Sequence, residues 1–449
     1  MRLKDSAASG GSDSGRSISA QDRAAAPGPT GRLRLAIVGS GIAGLGAAAE
    51  LSDPHDITLF EAGDHIGGHV RTVDVELGGR LWPVDTGFVV YNETTYPHFT
   101  ALLGRLGVRT RPAAMGFSVS DPRTGLEYCG SSINGLFAQR RNLFRPSFYR
   151  LLRDIMRFNR EAPALAEAAG PELTLGRLVE STGFSRRFRD DYLVPMAAAI
   201  WSARAEDVLD FPALFFVRFF RNHGLLEPPQ RQLQWRTLVG GSREYVAALI
   251  RPFAGRIRLA TPVREVQRSP GSGVVVRTDR GAERFDQVIL ATHADQTLAL
   301  LADATESERE ILGAFKYRSN TALLHTDTSL LPKRRRAWAS WNSHGCGAAA
   351  AAVAVTYHMS MLQGLDSPAP FLVTLNDQGR VADSKVLARM RFDHPVFTLE
   401  TLAAQQRHGE ISGIDRVHFC GAYWRNGFHE DGLASGVAVA RTLLPTAAP

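Results

Sequence analysis

The sequence predicts an α/β fold in which a dinucleotide-binding domain is joined to a second domain of mixed sheet and helices, and three stretches carry that expectation. The first is a strand, glycine turn, helix and strand over residues 35–61. The second is a series of short strand-like runs between 257 and 291, and the third is a strand, a glycine turn and a small-residue helix over 417–444.

Residues 1–31 are rich in Ser, Gly, Ala, Asp and Arg and read as a disordered extension. Residues 35–38 form a short apolar strand, Gly39, Gly41 and Gly44 spell GxGxxG, and 42–51, with Ala43 at its start, is an Ala-rich helix. The first glycine permits the tight turn and the second lets backbone N–H groups approach a pyrophosphate. The third lets helix and strand pack closely, so that the anion sits at the positive helix end. The strand 57–60 ends in Glu61, about 20 residues past the glycines, where a carboxylate binds ribose hydroxyls and repels a 2′-phosphate.

Gly67, Gly68 and Arg71 follow directly in AGDHIGGHVRT. With them the segment resembles the FAD-binding signature of the flavin amine oxidase superfamily, which includes monoamine and polyamine oxidases, protoporphyrinogen oxidase and carotenoid desaturases. The resemblance implies FAD as cofactor, held by a Rossmann-like FAD-binding domain with a mixed-sheet plus helical substrate domain. It also sets Gly67, Gly68 and Arg71 against the pyrophosphate. A glycine pair followed by a cation is a chemically reasonable second lip for a diphosphate.

Residues 72–77 and 80–84 flank Gly78-Gly79 and read as a hairpin. In DTGFVVYNETTYPHF the resemblance brings Asp85, Thr86, Gly87 and Phe88 beside the flavin. A helix follows, with Thr94 or Thr95 near its cap and Phe99, Leu102, Leu103 and Leu106 on one face. After a second hairpin, GFSVSDPRTGLEY, residues 135–160 alternate Phe and Leu with Arg140, Arg141, Arg145, Arg150, Arg153, Arg157 and Arg160. Such a basic amphipathic helix is either a solvated face, the commoner case, or a surface for anionic head groups. Helices are expected over 185–200 and 211–221, and the latter, containing FPALFFVRFF, is either core or the lining of an apolar substrate channel.

From 234 the chain returns to the cofactor domain, where the residue at Val263 is implied by resemblance to contact the adenine through its backbone. Residues 315–400 are strand-rich, with TALLHTD, RRAWASWN, AAVAVTYHM and PFLVTLN as candidate strands, and GCGAAA at 345–350 reads as a loop. The closing segment resembles the family's C-terminal flavin motif through Gly421, Gly432, Ser435 and Gly436. Asp431 stands where the family has Glu, with Leu433 following Gly432. A helix N-terminus here stabilises negative charge that develops on a reduced flavin. The expected domains are therefore discontinuous: 32–95, 234–298 and 405–445 for FAD, and 96–233 and 299–404 for substrate.

Two departures from the family pattern bear on chemistry. The lysine that amine oxidases carry on a substrate-domain strand has no match, because Lys316 precedes the strand and Asn320 and His325 lie in it. The aromatic pair that flanks an amine substrate in the family is not evident, with Phe428 a candidate for half of it. His429 and Glu430 border the expected flavin site and are candidates for assisting proton removal, with helix capping as the plainer alternative.

Composition bounds the rest. The 449 residues, 44% hydrophobic, suffice for two or three domains, and the net charge of +7 is modest for that length. Neither a nucleic-acid module nor metal-ligand spacing is present, and Cys129, Cys346 and Cys420 lie far apart, which suggests a reduced cytoplasmic protein. No apolar run approaches the ~18 residues of a membrane span. The strings DTGFVVYNETTYPHF, NHGLL, SWN and GFHEDG are similar to a bacterial branch of predicted NAD/FAD-binding proteins associated with cyclopropane-fatty-acyl-lipid synthase-like enzymes. That similarity implies an FAD-dependent oxidoreductase that oxidises or desaturates an apolar, lipid-derived substrate such as a methyl-branched fatty acyl chain, with peripheral contact to an anionic membrane as an option. The alternatives are an amine oxidase or carotenoid-type desaturase, and a non-catalytic flavin-bound lipid-binding protein.

Overall fold

Strands from three distant segments assemble one parallel sheet in a computed structural model that describes residues 31–228, 231–344 and 354–445. The expectations for residues 1–30, Cys346 and the 345–350 loop fall outside those residues. The sheet order is Ile257–Arg258, Asp56–Phe60, Arg34–Val38, Gln287–Leu290 and Val417–Phe419, all parallel. A central parallel strand is covered on both faces and reads as a continuous apolar run, which is why Leu35 to Val38 is uniformly hydrophobic and buried.

Leu35 and Ile37 point to one face, where the helix Ile42–Leu51 and the closing helix His429–Leu443 pack. The two helices touch nearly backbone to backbone. A Cβ at Gly436 would stand 2.0 Å from the Ala43 carbonyl oxygen, so glycine is required there. Ala36 and Val38 point to the opposite face, into a core shared with the three-stranded sheet of Val263–Ser269, Gly273–Thr278 and Gly281–Phe285.

The hairpin Thr72–Leu77 and Arg80–Asp85 closes through Gly78 and Gly79, both at positive φ as a two-residue turn demands. The second domain is built on a seven-stranded mixed sheet, in the order Val386–Val396, Lys316–His325, Leu372–Leu375, Val355–His358, Trp341–His344, Phe117–Asp121 and Leu126–Cys129. Its edge strand Val386–Val396 lies outside the expected set.

The expected helix over 135–160 is not one helix. It divides into Ile133–Leu136, a 3-10 turn at Arg140–Phe144, and a long helix Pro146–Ala169. Pro146 enforces the break, since proline fits the first turn of a helix but cannot continue one from before it. This helix packs with Leu175–Ser181, Val194–Trp201 and Ala213–Asn222 around a core rich in phenylalanine, including Phe148, Phe158, Phe188, Phe216 and Phe220. Among the described residues no helix is long and apolar enough to cross a membrane.

Candidate functional site

A cavity of about 820 Å³ is lined by Gly39, Gly41, Ala43, Glu61, Gly67, Gly68, Thr86, Gly87, Phe88, Val263, Gly421, Gly432 and His429 from the expected site, together with side chains of the seven-stranded sheet. The glycines explain how backbone reaches it. Gly39 lies at positive φ with the Ala291 carbonyl oxygen 2.9 Å from any Cβ it carried, and a Cβ at Gly44 would fall 2.0 Å from the Gly39 oxygen. Those two serve packing, and Gly44 does not line the cavity. Gly41 differs, for a Cβ there meets no protein atom within 4 Å and would project into open space.

Gly41 is also the N-cap of the helix Ile42–Leu51, which has no side-chain cap and no acid in its first turn. Its positive end therefore faces the cavity uncompensated, as an anion site requires. Gly68, at positive φ, folds onto this turn so closely that its Cβ would lie 3.0 Å from Gly41 Cα, while Gly67 N donates to the Ser40 carbonyl. The two glycine motifs thus form one cradle. Glu61 is fixed beside it, accepting from Ser40 N at 3.0 Å and from Gly63 N at 2.7 Å. The open glycine cradle, the uncapped helix end and the acid on the neighbouring strand fit the pyrophosphate and ribose of FAD.

Other expected residues lie off the cavity wall. Arg71 is outside the lining, and its carbonyl accepts from Thr86 N. Asp85 is fully buried, taking hydrogen bonds from Thr72 Oγ1, from Ser242 N and Oγ, and from Gln363 Nε2. Desolvation pushes its carboxyl up to about 6. Asp85 thereby ties the hairpin to two later segments and has no lone pair to spare for a ligand. Leu433 is spent against Gly46 in the helix interface, and Asp431 accepts from Phe428 N at the start of its own helix.

Glu430 is likewise occupied. Its carboxylate accepts from His98 N at 2.9 Å and Phe99 N at 3.0 Å, and pairs with His98 Nδ1. It therefore caps the helix Pro97–Leu106, whose N-cap residue, Tyr96, offers no side-chain bond. Neither Thr94 nor Thr95 performs this task.

His429 does line the cavity. Its ring stacks on Phe88 at 3.8 Å, and Nε2 is 2.8 Å from the Tyr245 hydroxyl. Desolvation, then His69, pull its pKa down to about 3, so it is neutral at physiological pH and a weak base.

The structure adds a group that the sequence did not reveal. His69, directly after Gly68, stacks on Phe392 at 5.2 Å and lies 5.4 Å from His394 and 6.1 Å from His293. All four line the cavity with Tyr317, which stacks on His293 at 4.4 Å. Desolvation lowers each imidazole, His69 to about 3 and His394 to about 4, so the cluster is uncharged. Among the described residues no set of three or more metal-binding side chains could hold an ion. The edge strand Val386–Val396 supplies Phe392, Asp393 and His394, and alternation of Val386, Ala388, Met390 and Phe392 was the available signal for it.

Much of the remaining wall is aromatic and aliphatic, with Trp201, Trp341, Tyr357, Phe397, Phe428, Met359, Leu362 and Val373, while Ser202, Arg264, Thr292, Gln296 and Asn426 are polar members of it. The 211–220 segment, read from sequence as either core or channel lining, is core and is absent from the cavity wall. Phe219 stands behind Trp201 and Phe428, at 4.6 and 4.8 Å, and Phe215 behind Phe397 at 4.8 Å. That helix braces the wall from its core side.

The sequence pattern of the flavin-containing amine oxidoreductase family matches residues 42–325. AofH of Mycobacterium tuberculosis, assigned as a flavin-containing monoamine oxidase, is 28% identical over 292 residues, covering 61% of this chain and 60% of that protein. The carotenoid phi-ring synthase of Streptomyces griseus is 30% identical over 367 residues, covering 72% of this chain and 65% of that protein. The chain thus spans about 60% of the length of the first of these relatives. Among solved structures, wild-type putrescine oxidase bound to putrescine superposes with a TM-score of 0.67 at 15% identity, over 92% of this chain and 99% of that one.

Proposed function

Because the chain belongs to the family of flavin-containing amine oxidoreductases, we propose that it is an FAD-dependent oxidoreductase whose substrate is apolar and lipid-derived, such as a methyl-branched fatty acyl chain. FAD, when bound, supplies the acceptor for a hydride from the substrate. Gly41, Gly67 and Gly68 hold its diphosphate, Glu61 its ribose, and Val263 its adenine.

The observation that carries the substrate reading is the chemistry of the cavity wall. Its carboxylates among the described residues are Glu61 and Asp393. Glu61 belongs to the ribose end of the cradle, and Asp393 is paired with Arg391. Neither is left to receive a substrate ammonium, and a buried cation without a partner is costly. Trp201, Tyr357, Phe397 and Phe428 instead enclose a hydrocarbon and exclude water, which is what positioning a C–H bond requires. His69, His293 and His394 contribute hydrogen-bonding capacity without charge, suited to a carbonyl or ester oxygen on an otherwise apolar molecule.

The two relatives carry names with different substrates, a monoamine and a carotenoid, so ancestry does not choose for this chain. Peripheral contact with an anionic membrane belongs to the same reading, since an acyl lipid is met there. Mass spectrometry of total lipids from the native host, with and without the gene, tests it. A lipid class that changes its unsaturation or oxidation state supports the reading, and an unchanged profile alongside turnover of a soluble amine overturns it.

A further inference from the structure

We propose that the surface formed by Ile133, Leu143, Phe144, Tyr149 and Met156 is a docking site for an anionic phospholipid bilayer, with the tips of Ile133 and Phe144 entering the head-group layer. The proposal rests on the lipid reading for its purpose and on surface chemistry for its evidence. Phe144 is 86% exposed, Ile133 80% and Met156 63%. Large apolar side chains grouped in this way mark an interaction site.

The three elements that carry them are tied together. The Tyr149 hydroxyl donates to the Leu143 carbonyl, joining the long helix to the 3-10 turn. Tyr149, Arg153 and Met156 follow at spacings of four and three, one helix face. Ile133 starts the short helix Ile133–Leu136, which is joined to the 3-10 turn by Arg140 donating to Asn134 Oδ1 and to the long helix by Phe137 packing on Tyr149 at 6.2 Å.

From Ile133 to Tyr149 the charge along the patch has one sign, and beside Met156 Asp154 is buried and Glu161 is paired with Arg157 and Arg160. Residues 128–153 contain Arg140, Arg141, Arg145, Arg150 and Arg153 and no acid. Among the described residues none of these five forms an ion pair. Arg140 and Arg141 donate only to neutral oxygens, of Phe137, Asn134 and Gly125. The fold then brings up a second basic segment from far along the chain. The 3-10 turn Arg335–Ala337 packs against Ile133–Leu136, with the Arg336 carbonyl beside Gly135, and exposes Lys333, Arg335 and Arg336.

An apolar tip ringed by arginines is the two-signal design of a peripheral membrane protein, in which insertion and attraction to anionic lipid add. A second copy of this chain is the poorer occupant. A two-fold interface here would set arginines against arginines.

The test is flotation of the FAD-loaded protein with phosphatidylcholine vesicles and with vesicles of phosphatidylcholine and phosphatidylglycerol in equal parts. Binding is expected to the mixed vesicles at low salt, weakening as salt rises, with none to phosphatidylcholine alone. Replacing Arg140, Arg141 and Arg145 by Gln together should cost about a hundredfold in affinity, and Phe144→Ser about tenfold. Phe144→Trp should shift its emission to the blue on binding. All these side chains are exposed or half-buried, so flavin content and Tm should hold. Failure to bind mixed vesicles at low salt, or binding indifferent to both sets of substitutions, overturns the proposal. So does a dimer in lipid-free solution that Phe144→Ser disperses. None of these readouts requires turnover, so the docking site can fail while the acyl substrate stands, and the reverse.

Discussion

Asn320 Nδ2 donates to His394 Nδ1 across 2.8 Å, and this contact fixes which ring nitrogen of the histidine carries the proton. The amide is itself oriented, because its Oδ1 accepts from Asn376 Nδ2 at 2.7 Å. Nδ1 is therefore the acceptor and Nε2 the donor of a neutral ring on the cavity wall. Asn320 stands on the strand Lys316–His325, which carries no lysine beyond its first residue.

Asn320→Leu removes that constraint. The ¹⁵N shifts of His394 should then report a mixture of tautomers, and affinity for an acyl ester should fall about tenfold, the worth of one well-made hydrogen bond. FAD content should not change. An unaltered tautomer with unaltered affinity would show that Asn320 does not position His394.

Glu430→Ala strips the helix Pro97–Leu106 of two N-terminal partners. Chemical denaturation should show a loss of about 2 kcal/mol, the combined scale of a lost cap and unsatisfied donors. The rate of flavin reduction in folded, loaded protein should stay within twofold of the parent. A rate loss without a stability loss would restore Glu430 to the chemistry.

Gly68→Ala sets a Cβ 3.0 Å from Gly41 Cα at a residue with φ of +58°. FAD should be lost on gel filtration, with the 450 nm region of the spectrum gone. Gly104→Ala is the control, since a Cβ there meets nothing within 4 Å and helix propensity improves. Glu61→Gln should weaken FAD about tenfold, as a charge-assisted bond to ribose becomes a neutral one. Retention of FAD by Gly68→Ala would refute the cradle.

Acid should destabilise this fold from about pH 6.5 downwards. His69, His223, His325, His344, His394, His418 and His429 are pulled down to about 3 or about 4 by desolvation, against an ordinary 6.5. The unfolded chain binds more protons than the native one between those values, so their contribution is lost as pH falls from 6.5 towards 4. Asp85, Asp191 and Asp431, raised to about 6 by burial, act in the opposite sense below pH 6. Three carboxyls do not offset seven imidazoles. Tm should decline steadily from pH 6.5 to pH 4.5, and a maximum near pH 5 would contradict the assignment.

The glycine turns around the cavity were legible because most of those glycines answer a local demand, a positive φ at Gly39, Gly67 and Gly68 or a close packing contact at Gly44, and local demands leave marks in short windows of sequence. Pairing across the chain leaves none. Glu430 caps a helix more than 300 residues upstream, and nothing near either partner announces it. The strand Val386–Val396 was legible in itself, since Arg389, Arg391 and Asp393 alternate with Ala388, Met390 and Phe392, but nothing in that window shows that it pairs with Lys316–His325 or that its end reaches the cavity. Phe215 and Phe219 have the composition of a lining, and only packing reveals that they lie one layer behind it.

Anaerobic stopped-flow mixing tests the central claim most directly. FAD-loaded protein is mixed with a methyl-branched acyl phospholipid in one syringe series and with putrescine, benzylamine or a polyene in another. Bleaching of the flavin band by the acyl lipid, and by none of the others, is the predicted result. Bleaching by an amine or polyene with the acyl lipid inert would contradict the account.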